Sequence, residues 1–102
     1  MAKEKLRNFN HVTFVTSNYE IGEGTTIGKN VVIGNGVKIG KNVVIGNNVV
    51  IQQKCIIGDD SEIGNGVVFG VGCHLEHAVI EDNVIVPAGT ICEGKFKLKS
   101  PQ

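Results

Sequence analysis

The sequence predicts an all-β fold, a parallel β-helix whose short strands wind into triangular coils of eighteen residues, and three observations carry that prediction. Ile-Gly recurs with a six-residue step at Ile21-Gly22, Ile27-Gly28, Ile33-Gly34, Ile39-Gly40 and Ile45-Gly46. A second small or branched residue follows each anchor by four places, at Thr25, Val31, Val37, Val43, Val49, Cys55, Ser61, Val67 and Cys73. With four Phe, one Tyr and no Trp, the interior must be filled by Val and Ile, whose branched Cβ favours extended backbone.

The register passes through Ile51 with Gln52 in the Gly place, resumes at Ile57-Gly58 and Ile63-Gly64, and reaches Phe69-Gly70 and Leu75. Backward it extends to Val15 and Phe9. A separation of four preserves strand parity, so anchor and follower face the same interior. Gly and Asn between the repeats (Asn30, Asn35, Asn42, Asn47, Asn48 and Asn65) supply turn conformations that branched residues resist. A helix would place apolar residues at i, i+3, i+4 and i+7, and a six-residue step does not.

Three such units close a triangle, so anchors eighteen apart stack at the ~4.8 Å strand spacing. The predicted columns are Phe9, Ile27, Ile45, Ile63 and Ile80; Val15, Ile33, Ile51, Phe69 and Val86; and Ile21, Ile39, Ile57, Leu75 and Cys92. One unit is a residue short: Leu75-Glu76-His77-Ala78-Val79 precedes Ile80, where the pattern restarts as Ile80-Glu81-Asp82-Asn83-Val84. After Val86-Pro87-Ala88-Gly89-Thr90 the repeat fades into Lys95-Phe96-Lys97-Leu98-Lys99, an edge strand whose lysines discourage further pairing. The expected organisation is an amino-terminal cap over 1–8, the β-helix over 9–92 in roughly four and a half coils, and an edge strand and tail over 93–102.

At 102 residues with no break in composition, one domain is expected. Ten basic residues balance ten acidic ones, so no net field steers the chain toward nucleic acid or an anionic membrane. No apolar run approaches the ~20 residues of a membrane span, and the polar start lacks a signal-peptide core, so a cytoplasmic protein is expected. Cys55, Cys73 and Cys92 lie too far apart for a C-x-x-C motif. Cys55 and Cys73 are expected as a core pair of thiols, and Cys92 as the exposed one.

The pattern [Ile/Leu/Val]-Gly-x-x-[small or Val]-x over about Phe9 to Thr90 resembles the hexapeptide-repeat superfamily. The resemblance implies left-handed coiling, against the general right-handed rule for parallel crossovers, and a homotrimer. Members are mostly acyltransferases using acyl-coenzyme A or acyl carrier protein, with sites between subunits. A second branch resembles γ-class carbonic anhydrases, but the places where that branch carries zinc-ligating His fall on Gly58, Val71 and Glu76. Its Arg-x-Asp pair falls on Val37 and Ile39, and Gln52 alone matches, so no metal is expected.

Acyl transfer needs a general base to take a proton from an acceptor hydroxyl or amine as it attacks the thioester, and His suits that task. The segment Leu75-Glu76-His77-Ala78 resembles the aliphatic-x-His-Asp stretch that carries the catalytic His in some hexapeptide acyltransferases, with Ala78 in place of the acidic residue. His77 is the candidate base, and Glu76 or Glu81 the candidate orienting carboxylate. A solvated His77 on a coil face is the alternative. His74, expected at a corner, and His11, on an amino-terminal face, receive no role. The leading functional expectation is an acyl-coenzyme-A-dependent acyltransferase, with acetyl-CoA or another acyl-CoA as co-substrate and no assigned binding residues. Its rivals are a non-catalytic trimeric scaffold or detached repeat domain and, third, a carbonic-anhydrase-like metalloprotein with an altered site.

Overall fold

A computed structural model describes residues 11–92 and the backbone of 96–98. The expected cap over 1–8 and the anchor Phe9 lie outside the described residues. The chain winds through three parallel sheets of five strands each. The first holds β1 (Val12–Phe14), β4 (Val31–Ile33), β7 (Val50–Ile51), β10 (Val68–Phe69) and β13 (Ile85–Val86). The second holds β2 (Tyr19–Ile21), β5 (Val37–Ile39), β8 (Ile56–Ile57), β11 (His74–Leu75) and β14 (Ile91–Cys92). The third holds β3 (Thr26–Ile27), β6 (Val44–Ile45), β9 (Glu62–Ile63), β12 (Ala78–Ile80) and β15 (Phe96–Leu98), with β15 at its carboxy-terminal edge.

Every third strand returns to the same sheet one coil further on, which is the geometry of a left-handed parallel β-helix with a triangular section. The predicted columns form: Ile27, Ile45, Ile63 and Ile80 are successive partners, as are Ile21, Ile39, Ile57, Leu75 and Cys92. Anchors from Ile21 to Cys92 and their small followers fill one continuous core, including the buried Thr25 and Ser61. Those two hydroxyls are satisfied, Thr25 donating to Gly40 O at 2.6 Å and Ser61 to Gly58 O at 3.0 Å.

The remaining column departs from expectation at its first member. Phe14, not Val15, pairs with Ile33, and Val15 is 61% exposed. The first corner carries one residue more than a hexapeptide allows, and local hydrogen bonds absorb it: Asn18 N donates to Thr16 Oγ1 at 3.1 Å, and Thr16 Oγ1 donates to Asn35 Oδ1 at 3.0 Å. Phe14 then stacks on Tyr19 with ring centroids 4.1 Å apart, both rings packed against the core.

The corners explain the Ile-Gly signature. The residue after each anchor donates its N–H to the anchor carbonyl of the next coil, and the backbones approach so closely that a Cβ on Gly34 would lie 2.8 Å from Gln53 N. Where that residue is Gly, from Gly22 to Gly70, the bond measures 2.6–2.9 Å. Among the corners where it is not Gly, Val15, Gln52 and Glu76 make the bond at 3.0, 3.3 and 3.1 Å. A residue with a Cβ at this place therefore leaves the bond slightly longer without breaking it.

The residue two places later turns the chain with positive φ, and Gly, Asn or Asp occupies it nearly everywhere, in keeping with their tolerance of the left-handed region. Lys54 (φ 63°) and His77 (φ 51°) are the other two. Asn and Asp side chains also tie coils together: Lys29 N, Asn47 N and Asn65 N donate in turn to Asn47, Asn65 and Asp82 Oδ1 at 2.7–2.8 Å.

Inward and outward positions along one strand should respond differently to truncation. In β5, Ile39→Ala removes a side chain 3% exposed and is expected to cost about 2–5 kcal/mol, whereas exposed Lys38→Ala should stay within about 0.5 kcal/mol, both by urea denaturation. Lys54→Gly relieves a left-handed penalty of about 1–2 kcal/mol against an unfolded-chain entropy term of about 0.4–1 kcal/mol, so it should raise the urea midpoint.

Candidate functional site

His77 stands on the corner row between the second and third sheets, where the one-residue deletion falls. The corner above it runs Gly58-Asp59-Asp60 before Ser61 turns inward; its own runs Glu76-His77 before Ala78. Ala78 N donates to Ser61 Oγ at 3.1 Å, and Val79 pairs with Glu62, which places His77 beneath Asp60 and Glu76 beneath Gly58. The missing residue is thus the counterpart of Asp59. Asp59 itself reaches up to accept from Lys41 N at 2.7 Å.

Ten full-length corners, from Asn30 to Gly89, pass a bond from the N–H of their positive-φ residue to a carbonyl of the coil above. Among the described residues His77 makes no such bond. The His77 side chain is half exposed, and its Nδ1 lies 3.9 Å from Asp60 Oδ2.

The other expected partners fall elsewhere within the chain. Glu76 Oε2 sits 3.5 Å from His74 Nε2, and Glu81 opens the next corner, on a different edge of the coil. His74 lies on β11 facing outward rather than at a corner, because it takes the place just before the anchor Leu75 and pairs with Ile56, which precedes the anchor Ile57. His11 is exposed at the first described turn, its carbonyl accepting from Asn30 N. Among the described residues no group of three or more His, Cys, Asp and Glu could hold a metal ion. Asp60 is the residue that sequence reasoning missed; correcting the eighteen-residue register for the deletion would have found it seventeen positions before His77.

Two hollows among the described residues lie apart from His77. The larger, about 490 Å³, runs along the second sheet past Ser17, Tyr19, Glu20, Lys41 and Asp59, and so ends one residue from Asp60 without containing His77. The smaller, about 280 Å³, lies on another edge, along the corner between the first and second sheets. Val15, Val32, Val50 and Val71 make it apolar, and Asn35, Gln52 and Gln53 add amides.

The outer surfaces of the sheets differ in character. The first sheet presents Val32, Val50, Val68 and Ile85 in one outward column, with Ile85 72% exposed. The second presents Glu20, Lys38, Ile56, His74 and Ile91, a mixed column.

All three cysteines are free and buried, Cys92 included, contrary to its expected exposure; it is the last inward anchor of its column and stacks on Leu75. Cys55 Sγ donates to Gly70 O at 3.1 Å and Cys73 Sγ to Pro87 O at 3.1 Å. Burial pushes the Cys55 thiol up from 9.0 to about 11, against the opposing pull of the backbone hydrogen bond from Cys73. Such thiols are packing groups, not nucleophiles.

The family described as bacterial transferase hexapeptide (six repeats) matches residues 18–53 and 37–71, and the chain belongs to that family. By sequence, no curated protein matches it. Among solved structures it is similar to a hexapeptide transferase family protein from Anaplasma phagocytophilum, at 18% identity and TM-score 0.71, over 90% of this chain and 73% of that one. It is also similar to a variant of GDP-perosamine N-acetyl transferase from Caulobacter crescentus, in complex with CoA and GDP-perosamine, at 20% identity and TM-score 0.66. That match covers 88% of this chain and 48% of the other. The acetyltransferase domain of PglB from Neisseria gonorrhoeae FA1090 matches at 12% identity and TM-score 0.64, over 87% and 54%. The chain thus spans about half the length of these two acetyltransferases. At such identities the likeness concerns the fold.

Because the folded state holds the Cys55 proton to higher pH than the unfolded chain, its contribution to stability is complete below pH 9 and is lost as pH rises toward about 11. Urea midpoints measured across that interval should fall more steeply for the wild type than for Cys55→Ala.

Proposed function

We propose that this chain is an acyl-coenzyme-A-dependent acyltransferase, moving an acetyl group from acetyl-CoA to a hydroxyl or amine of a small acceptor. The observation that carries the reading is the placement of His77: in a chain of the transferase hexapeptide family, a left-handed corner holds an imidazole out into solvent with a carboxylate on its Nδ1 side. In that pose the neutral ring offers Nε2 to the acceptor. Nε2 takes the acceptor's proton as its oxygen or nitrogen attacks the thioester carbonyl; the C–S bond then breaks, and the departing thiolate recovers a proton.

The groove along Gln52 and Gln53 suits the pantetheine arm of the acyl donor, which combines a thin apolar chain with two amides. Its valines would cover the chain and its side-chain amides would meet the peptide links. Groove and base lie on different edges of one coil, so a complete site requires two copies of the chain. The apolar outward column of the first sheet, continued by exposed Val15 and Val71, supplies a surface on which copies can pack. This supports a homotrimer with its sites between subunits. The solved acetyltransferases of like fold include one in complex with a nucleotide-linked sugar, so an amino sugar is the first acceptor to assay.

A second reading, a non-catalytic β-helix or the repeat portion of a larger enzyme, draws on the regularity of the coils and on the half-length match to the acetyltransferases. The two readings separate in solution. CoA at about 100 times its dissociation constant should stabilise the protein by about 2.7 kcal/mol, visible as a raised melting temperature. His77→Ala should leave that shift intact and lower kcat/KM for acetyl transfer by about 10²–10⁴-fold. Light scattering should return three times the chain mass. A melting temperature indifferent to CoA would leave only the scaffold.

A further inference from the structure

We infer that Asp60 is the positioning residue for His77, the carboxylate that fixes which ring nitrogen carries the proton. The assignment rests on the reading of His77 as the base, and it replaces the acidic neighbour that Ala78 fails to provide.

Geometry fixes the pair from two sides. Asp60 N donates to Lys41 O at 2.9 Å, and Ala78 N donates to Ser61 Oγ at 3.1 Å, so the backbones on which both side chains stand are pinned to their neighbouring coils. Asp60 (φ 64°) and His77 (φ 51°) occupy the same left-handed place in successive coils, below Asn42 (φ 58°) and Gly24 (φ 77°). Side chains in that column lean toward the coil above: a Cβ placed on Gly24 would run into Asn42 Oδ1. The same lean carries the His77 ring up to Asp60 and sets Nδ1, not Nε2, 3.9 Å from Oδ2. That separation is an ion-pair distance longer than a hydrogen bond, and catalytic contacts without substrate are often long.

The consequence is chemical. A carboxylate accepting from Nδ1–H holds the ring in the tautomer whose Nε2 lone pair is free, the form a base requires. Within the chain Glu76 faces His74 instead, its Oε2 3.5 Å from His74 Nε2.

The test is the tautomer itself. Asp60→Asn keeps the fold, since Asn already holds the equivalent place at Asn30, Asn42, Asn48 and Asn83. Long-range ¹H–¹⁵N NMR above the titration of the ring should show His77 as Nδ1–H in the wild type and in Asp60→Glu, and as a predominantly Nε2–H ring in Asp60→Asn. In acetyl transfer, Asp60→Asn should lower kcat roughly tenfold with KM within about twofold, and Asp60→Glu should recover most of the loss. A wild-type ring already in the Nε2–H form, or one whose tautomer is the same in Asp60→Asn, overturns the assignment even in an active enzyme. A wild type that transfers no acyl group yet switches tautomer with Asp60 refutes the transferase reading and leaves the positioning intact.

Discussion

Successive coils must be hydrogen-bonded to each other around the corners as well as along the faces, and that single constraint shapes the rest of the molecule. A face can accept almost any side chain, since successive residues alternate between core and solvent. A corner cannot, because backbone meets backbone there with no room for a Cβ. The Gly that follows each anchor meets this requirement, and the lengthened bonds at Val15, Gln52 and Glu76 show how far it can be relaxed.

The corners also decide where chemistry can appear. Faces deliver their inward side chains to a sealed core, so a reactive group must stand on an outward position or a turn. His77 stands at the one described corner that is a residue short, where the bond at Glu76 is already longer than at the Gly corners and the His77 backbone N–H makes none of the cross-coil bonds its counterparts make. Departure from the repeat and functional candidate coincide, as expected where local rules give way to a site.

Much of this was legible in the residues. A six-residue step has only one regular β solution, and it placed Ile27, Ile45 and Ile63 in one file and Cys55 and Cys73 inside. Where consecutive residues are both apolar, parity alone is ambiguous: Phe14 and Val15 compete for one inward place, and an extra corner residue held by Thr16 and Asn18 decided for Phe14. Cys92 seemed terminal and therefore open, but its column continues the stack and buries it. The Asp60–His77 pair was hidden because the residues adjacent in space are seventeen apart in sequence, one short of the coil length. Glu76 and Glu81 were nearer along the chain, and neighbourhood in a solenoid is measured across coils.

Each described strand bonds only to the coil directly above and directly below it. Cohesion is therefore that of a stack of coins: an outer layer can lift away while the inner ones stay seated, but no layer can leave the middle without parting the pile. Asp60 and His77 sit in the interior of that pile, so thermal fraying consumes the ends long before it reaches them. Slow amide exchange would accordingly cluster in the strands that flank this corner rather than in those at the ends of the stack.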